Sequence, residues 1–179
     1  LCEALIGKKF TDEPSLEYPI PENENVSANK FLSDAGITAN ELVIGFHPGS
    51  TTMKNHIKRR WEPEKFVELG KKLINKHTAR ILIFGGPEEK ELKEKIFSLI
   101  GSNNVNVVNA ESLTQSAAIL KRCNVFVTND SSQMHIAAAL GLKVVAIIGP
   151  TNQNYIYPWK TKHQIASLNL DCSPCFFYS

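Results

Sequence analysis

The chain has 179 residues, with 20 Lys plus Arg against 18 Asp plus Glu for a net charge of +2, and is 42% hydrophobic and 21% charged. That is the make-up of an ordinary globular chain with enough length to bury one domain's core. Ten Gly and nine Pro exclude collagen-like and low-complexity classes. No apolar run nears the ~20 residues of a membrane span. Four unevenly spaced cysteines, Cys2, Cys123, Cys172 and Cys175, are too few for a disulfide framework and predict a reducing, cytoplasmic setting.

Residues 1–41 hold eight acids and three bases, whereas residues 42–179 hold ten acids and seventeen bases. The first part opens on Leu1 and carries Pro14, Pro19, Pro21, Asn23 and Asn25. It reads as an interdomain linker with one tethered helix, Ser27–Ala35, stopped by Gly36. From residue 42 onward short apolar runs alternate with amphipathic stretches. The pattern predicts strands at 42–46, 80–84, 105–108, 124–128, 143–148 and 164–168, and helices at 63–76, 88–100, 114–122 and 131–140. Runs such as Ile81-Leu82-Ile83-Phe84 and Val144-Val145-Ala146-Ile147-Ile148 are apolar at every position, as strands are when helices cover both faces of a parallel sheet. The expected fold is α/β, a Rossmann-like doubly wound parallel sheet over residues 42–179.

Ligands of such sheets sit beyond the carboxyl ends of the strands. After the first strand come His47-Pro48-Gly49-Ser50-Thr51-Thr52 and then Lys54, His56, Lys58, Arg59, Arg60 and Trp61. Ser50, Thr51 and Thr52 offer hydroxyl and amide donors and the bases offer charge, which makes either a diphosphate cradle or a solvated basic loop. No G-x-x-x-x-G-K-[ST] spacing is present, so a Walker A loop is excluded. After the second strand, Gly85-Gly86-Pro87-Glu88-Glu89 is either a capped helix start or a turn whose Glu88 or Glu89 accepts from a ribose.

The sharpest signal is Thr128-Asn129-Asp130-Ser131-Ser132-Gln133-Met134-His135 running into Ala137-Ala138-Ala139-Leu140-Gly141. Asp130 is the predicted N-cap, and the amides of Ser131, Ser132 and Gln133 then face outward at the positive end of the helix, where an anion docks. His135, one turn in, either meets that anion or is a structural residue. Thr151, in Gly149-Pro150-Thr151, ends the next strand with a hydroxyl to donate, and Tyr155, Tyr157 and Trp159 read as a loop packed on the sheet. Cys172-Ser173-Pro174-Cys175 has C-x-x-C spacing, but a second close pair is lacking for tetrahedral zinc, so structural cysteines are the preferred reading. The basic cluster spans one short loop without interleaved aromatics, so nucleic acid is not an expected partner.

Taken together and in order, Phe46-His47-Pro48-Gly49-Ser50, Arg60-Trp61, Phe84-Gly85-Gly86-Pro87-Glu88, Thr128-Asn129-Asp130-Ser131 with Met134-His135-Ile136-Ala137, Gly149-Pro150-Thr151 and Cys172-Ser173-Pro174-Cys175 resemble glycosyltransferase family 9. These are the ADP-heptose:lipopolysaccharide heptosyltransferases, and the likeness is to their C-terminal half. The resemblance implies the nucleotide-sugar-binding domain of a two-domain GT-B enzyme that inverts the anomeric carbon. The donor would be an ADP-sugar, with heptose the implied sugar, and the acceptor a lipid-linked core saccharide held by an N-terminal domain that also supplies the general base. By the same resemblance Ser50–Thr52 and Arg59 or Arg60 face the diphosphate, Glu88 and Glu89 the ribose, and Asp130 the donor sugar or phosphate. Ser131, Ser132, Gln133 and His135 complete the cradle.

No metal and no other cofactor is implied, and the chain carries no D-x-D pair. Without acceptor and base, these residues alone are expected to bind donor and not to turn over. Any membrane contact would be peripheral, at the inner face of a bacterial membrane, through the other domain. Two departures from the family pattern stand out: the lengthened Lys58-Arg59-Arg60-Trp61 loop leaves open which base meets phosphate, and Ser132 stands where a Gly usually follows, so the sugar need not be a heptose. A nucleotide-sugar epimerase and a non-catalytic nucleotide-binding domain remain the alternatives.

Overall fold

The computed structural model describes residues 7, 9, 15–50 and 59–175. Helix α1 spans Glu22–Asp34 and starts five residues before the expected Ser27. Pro21 caps it in an extended conformation, and Glu22 and Glu24 occupy its first turn, where acids suit the helix dipole. Its buried Ala28, with Ile37 beyond its end, belongs to the molecule's core, and Phe31 and Leu32 pack against the same cluster. Glu24 accepts hydrogen bonds from Ser112 Oγ at 2.9 Å and Thr114 Oγ1 at 3.2 Å, tying α1 to the start of helix α4, Leu113–Leu120.

The remaining elements are β1 Val43–His47, α2 Pro63–His77, β2 Arg80–Ile83, a 3-10 turn Pro87–Glu89, α3 Lys90–Ile100, β3 Val105–Val107, β4 Val125–Asn129, α5 Ser132–Ala139, β5 Lys143–Ile147 and β6 His163–Ala166. The six strands form one sheet in the order β3-β2-β1-β4-β5-β6, and every pairing is parallel. This is the doubly wound arrangement expected from the all-apolar strands. Strand order reverses between β1 and β4, which opens a crevice at their carboxyl ends.

Two cores flank the sheet. One holds Phe84, Phe126, Met134 and Leu120 with α1, α4 and α5, and the other holds Phe46, Phe66, Ile81, Ile83 and Ile96 with α2 and α3. Gly45 at the centre of β1 is required by the first core: a Cβ there would meet the Phe126 ring at 2.7 Å. Phe84 and Phe126 instead close over it edge to face, 5.8 Å apart. Cys123 lies in this core, and burial pushes its thiol far above its ordinary range, so it stays protonated and inert. Among the described residues no helix is long and apolar enough to cross a membrane.

Candidate functional site

The crevice between β1 and β4 is a cleft of about 590 Å³ whose lining includes His47, Ser50, Arg59, Glu88, Glu89, Asp130, Ser131, Ser132, Gln133 and His135. Segments distant in sequence converge there because the carboxyl ends of β1, β2 and β4 adjoin in the sheet.

The loop after β1 is anchored first. Asn129, fully buried at the end of β4, donates from Nδ2 to the Pro48 carbonyl at 2.7 Å and accepts from the Trp61 amide at 3.0 Å. One side chain thus holds both ends of the 48–61 loop and fixes where Arg59 and Arg60 emerge. Thr51 and Thr52 lie outside the described residues.

The two arginines part company. Arg59 Nη1 lies 3.2 Å from Asp130 Oδ2, both side chains being 8% exposed, and Arg59 lines the cleft. Arg60 turns to the Ser50 carbonyl and to Glu89 Oε1, the latter at 3.5 Å. Arg59 is therefore the arginine that faces the cleft, while Arg60 packs behind its wall.

Asp130 is not the N-cap that the sequence pattern predicts. Ser131 holds that position, with extended dihedrals, and α5 begins at Ser132. The Asp130 carboxylate is instead drawn sideways: Thr151 donates to Oδ2 at 2.8 Å, and the same oxygen meets Arg59. An ion pair out of water competes successfully with a helix cap because a charge-assisted hydrogen bond is worth about twice a neutral one. Thr151, 3% exposed, does not line the cleft but reaches it through Asp130.

At the start of α5 the Met134 amide turns back to the Ser131 carbonyl at 3.1 Å. Among the described residues none accepts from the Ser132 or Gln133 amide, so two donors remain unspent at the positive end of the helix. Ser131, Ser132, Gln133 and His135 all line the cleft at this point.

On the opposite wall, Glu89 is 7% exposed and fully engaged. Its Oε2 accepts from the Gly86 amide at 2.9 Å and lies 3.3 Å from His47 Nε2, and its Oε1 faces Arg60. Burial pushes its carboxyl up, but the His47 hydrogen bond and charge, the Gly86 amide and Arg60 together outweigh that and hold it below the usual glutamate range. The Gly49 backbone packs on this carboxylate so closely that a Cβ would lie 1.6 Å from Oε1. Glu88, by contrast, is exposed and lines the cleft. Behind the turn, Lys93, 3% exposed, donates to the carbonyls of Gly85 at 3.1 Å and Val108 at 2.8 Å and to Asn109 Oδ1 at 3.1 Å. Desolvation holds its ammonium below the usual lysine range, against the opposing pull of Glu89 and Glu94.

His47 and Asn129 are cleft-building residues that the sequence pattern does not single out. Both end buried strands, and the local cue is a polar residue at the carboxyl end of a mainly apolar run. Cys172 and Cys175 stand apart from the cleft, exposed and as free thiols, and the Cys175 amide donates to the Pro150 carbonyl at 3.1 Å. Among the described residues no group of three His, Cys, Asp or Glu side chains is arranged to hold a metal ion.

Comparison with known proteins adds a family. Residues 5–179 match the model of glycosyltransferase family 9 (heptosyltransferase). A lipooligosaccharide heptosyltransferase 2 from Campylobacter jejuni is 30% identical over 151 residues, which are 82% of this chain and 46% of that protein. The crystal structure of a glycosyl transferase family 9 protein from Veillonella parvula superposes with a TM-score of 0.81 at 27% identity, covering 92% of this chain and 46% of the other. An E. coli heptosyltransferase solved with ADP-2-deoxy-2-fluoro heptose gives a TM-score of 0.58 at 26% identity, over 78% of this chain and 40% of that one. The chain spans about half the length of the relatives it matches.

Proposed function

This chain belongs to glycosyltransferase family 9, and we propose that its cleft holds the nucleotide-sugar donor of an inverting glycosyltransferase. The donor we assign is ADP-heptose, and the acceptor a saccharide of the lipopolysaccharide core bound by another part of the protein. The E. coli relative that carries an ADP-heptose analogue supports the donor class.

The observation that carries the reading is the Thr151–Asp130–Arg59 chain beside the start of α5. Asp130 fixes the guanidinium at the mouth of the helix, where the Ser132 and Gln133 amides and the helix dipole already favour negative charge. A pyrophosphate placed there receives two amide hydrogen bonds and one cation from groups that need no rearrangement. The same groups lower the barrier to transfer, because charge builds on the pyrophosphate as the bond to the anomeric carbon breaks. Glu88, on the facing wall, accepts from the ribose hydroxyls. The acceptor hydroxyl attacks from the side of the sugar opposite the diphosphate. Asp130 is paired with Arg59 and Glu89 with His47 and Arg60, so neither carboxylate serves as the base that deprotonates this hydroxyl.

Calorimetric titration with ADP, ADP-glucose, UDP-glucose and GDP-mannose tests the reading. The adenine compounds are expected to bind at one site and the others about tenfold more weakly, a difference of about 1.4 kcal/mol. Asp130→Ala is expected to abolish measurable binding. Flat titrations with every nucleotide would remove the basis of the proposal.

A further inference from the structure

His47 sits between the two walls of the cleft with both ring nitrogens engaged. Nε2 is 3.3 Å from Glu89 Oε2, and Nδ1 is 3.1 Å from Ser131 Oγ and 3.4 Å from Thr128 Oγ1. The ring is 4% exposed, and among the described residues no other side chain bridges the turn after β2 to the start of α5 in this way.

The hydrogen count decides what each partner does. Glu89 is ionised and accepts only, so Nε2 carries a hydrogen and donates to it. Thr128 has one hydroxyl hydrogen and gives it to the Asn129 carbonyl at 2.9 Å. With a neutral ring, Nδ1 is an acceptor, and the one hydrogen on hand for it is that of Ser131. The Ser131 hydroxyl then points its lone pairs at the cleft. When the ring takes a second proton, Nδ1 becomes a donor to Ser131 Oγ, and the serine hydrogen turns either to Thr128 Oγ1, 3.2 Å away, or to an anion in the cleft, which is the stronger acceptor.

We infer that His47 is a proton-dependent positioning residue that switches the Ser131 hydroxyl from acceptor to donor toward a bound pyrophosphate. This rests on the reading of the cleft as a donor site. Proton uptake at Nδ1 presents the pyrophosphate with one more hydrogen-bond donor and one more positive charge behind it, and by linkage the bound pyrophosphate favours the protonated ring. Histidine is the side chain whose charge ordinarily changes between about pH 5 and 8. The other charged groups around the ring are already committed: Glu89 from the turn after β2, with Arg60 and Lys93 behind it, and the Asp130–Arg59 pair at the end of β4. His135 lines the same cleft from α5.

The test is calorimetry with ADP-glucose across about pH 5.5 to 8, in paired buffers of different ionisation enthalpy. The pyrophosphate of this probe is a diester with no group of its own titrating in that range. The chain is expected to bind severalfold more tightly at the acid end and to take up a fraction of a proton on binding. Ser131→Ala should lose most of the pH slope. Since His47→Gln risks the fold, the nitrogen resonances of the His47 ring give an independent reading, with hydrogen on Nε2 alone at high pH and on both nitrogens once ADP-glucose is bound at low pH. Binding that is independent of pH, or a slope that persists in Ser131→Ala, overturns the inference while leaving the donor site intact. No binding at any pH overturns both.

Discussion

Thr151 and Arg59 converge on the same oxygen of Asp130, at 2.8 and 3.2 Å. Thr151 follows β5 and Asp130 follows β4, so the neighbouring ends of two parallel strands are clasped by one hydrogen bond, and the clasp aims an arginine from the β1 loop. The orientation of the cation at the cleft therefore depends on a hydroxyl that does not itself line the cleft.

Thr151→Val keeps the shape and removes the hydroxyl. A hydrogen bond to a charged group contributes about 1.5–3 kcal/mol, and the buried Asp130 loses it outright. Urea unfolding is expected to show a loss of that order at neutral pH. ADP-glucose affinity is expected to fall about tenfold, equivalent to about 1.4 kcal/mol, as Arg59 loses its fixed partner. Unchanged affinity in a destabilised variant would separate the clasp from ligand binding.

Gly49→Ala places a Cβ 1.6 Å from Glu89 Oε1, and that carboxylate is held on both oxygens. The loop or the glutamate has to move. Overpacking of this kind costs about 1–3 kcal/mol, seen as a lowered unfolding midpoint. Because the displaced glutamate also holds His47 and Arg60, ADP-glucose binding should weaken along with stability.

Glu89 gives the fold an acid limit. Its folded carboxyl lies below the ordinary glutamate range despite burial, through His47, Gly86 and Arg60. The ionised form is thus favoured in the folded state, and the stability this supplies is complete above the ordinary range and is lost as pH falls through the lower folded value. Unfolding measured down through the acid range should show a steeper fall for the parent chain than for Glu89→Gln, which has no charge to lose. Parallel curves would assign the acid limit to other groups.

The sequence makes the strand cores legible because both faces are covered at the centre of this sheet, and Ile81–Phe84 or Val144–Ile148 leave no polar position to confuse the pattern. It is poor at α1's start, where Glu22-Asn23-Glu24-Asn25 after two prolines looks like loop, and where helix is secured by Ala28, Phe31 and Leu32 packing on distant elements. Asp130 misleads for a similar reason. Its residue type suits a cap, and partners 21 and 71 residues away in the chain draw it off. His47 and Asn129 escape notice because each acts through partners 42 to 84 residues distant. Local pattern names the cleft's segments; which of two neighbouring residues turns inward, Arg59 or Arg60, Glu88 or Glu89, is settled by contacts across the sheet.

The most direct test of the central claim is a titration of the isotope-labelled chain with ADP-glucose, followed at the backbone amides of Ser132 and Gln133 by nuclear magnetic resonance. Both signals are expected to move and saturate together, as they do when free amides at a helix start take up a pyrophosphate, with Arg59→Met reducing the affinity. If ADP-glucose saturates the chain while these two signals stay fixed, the pyrophosphate is bound elsewhere and the account of the cleft is contradicted.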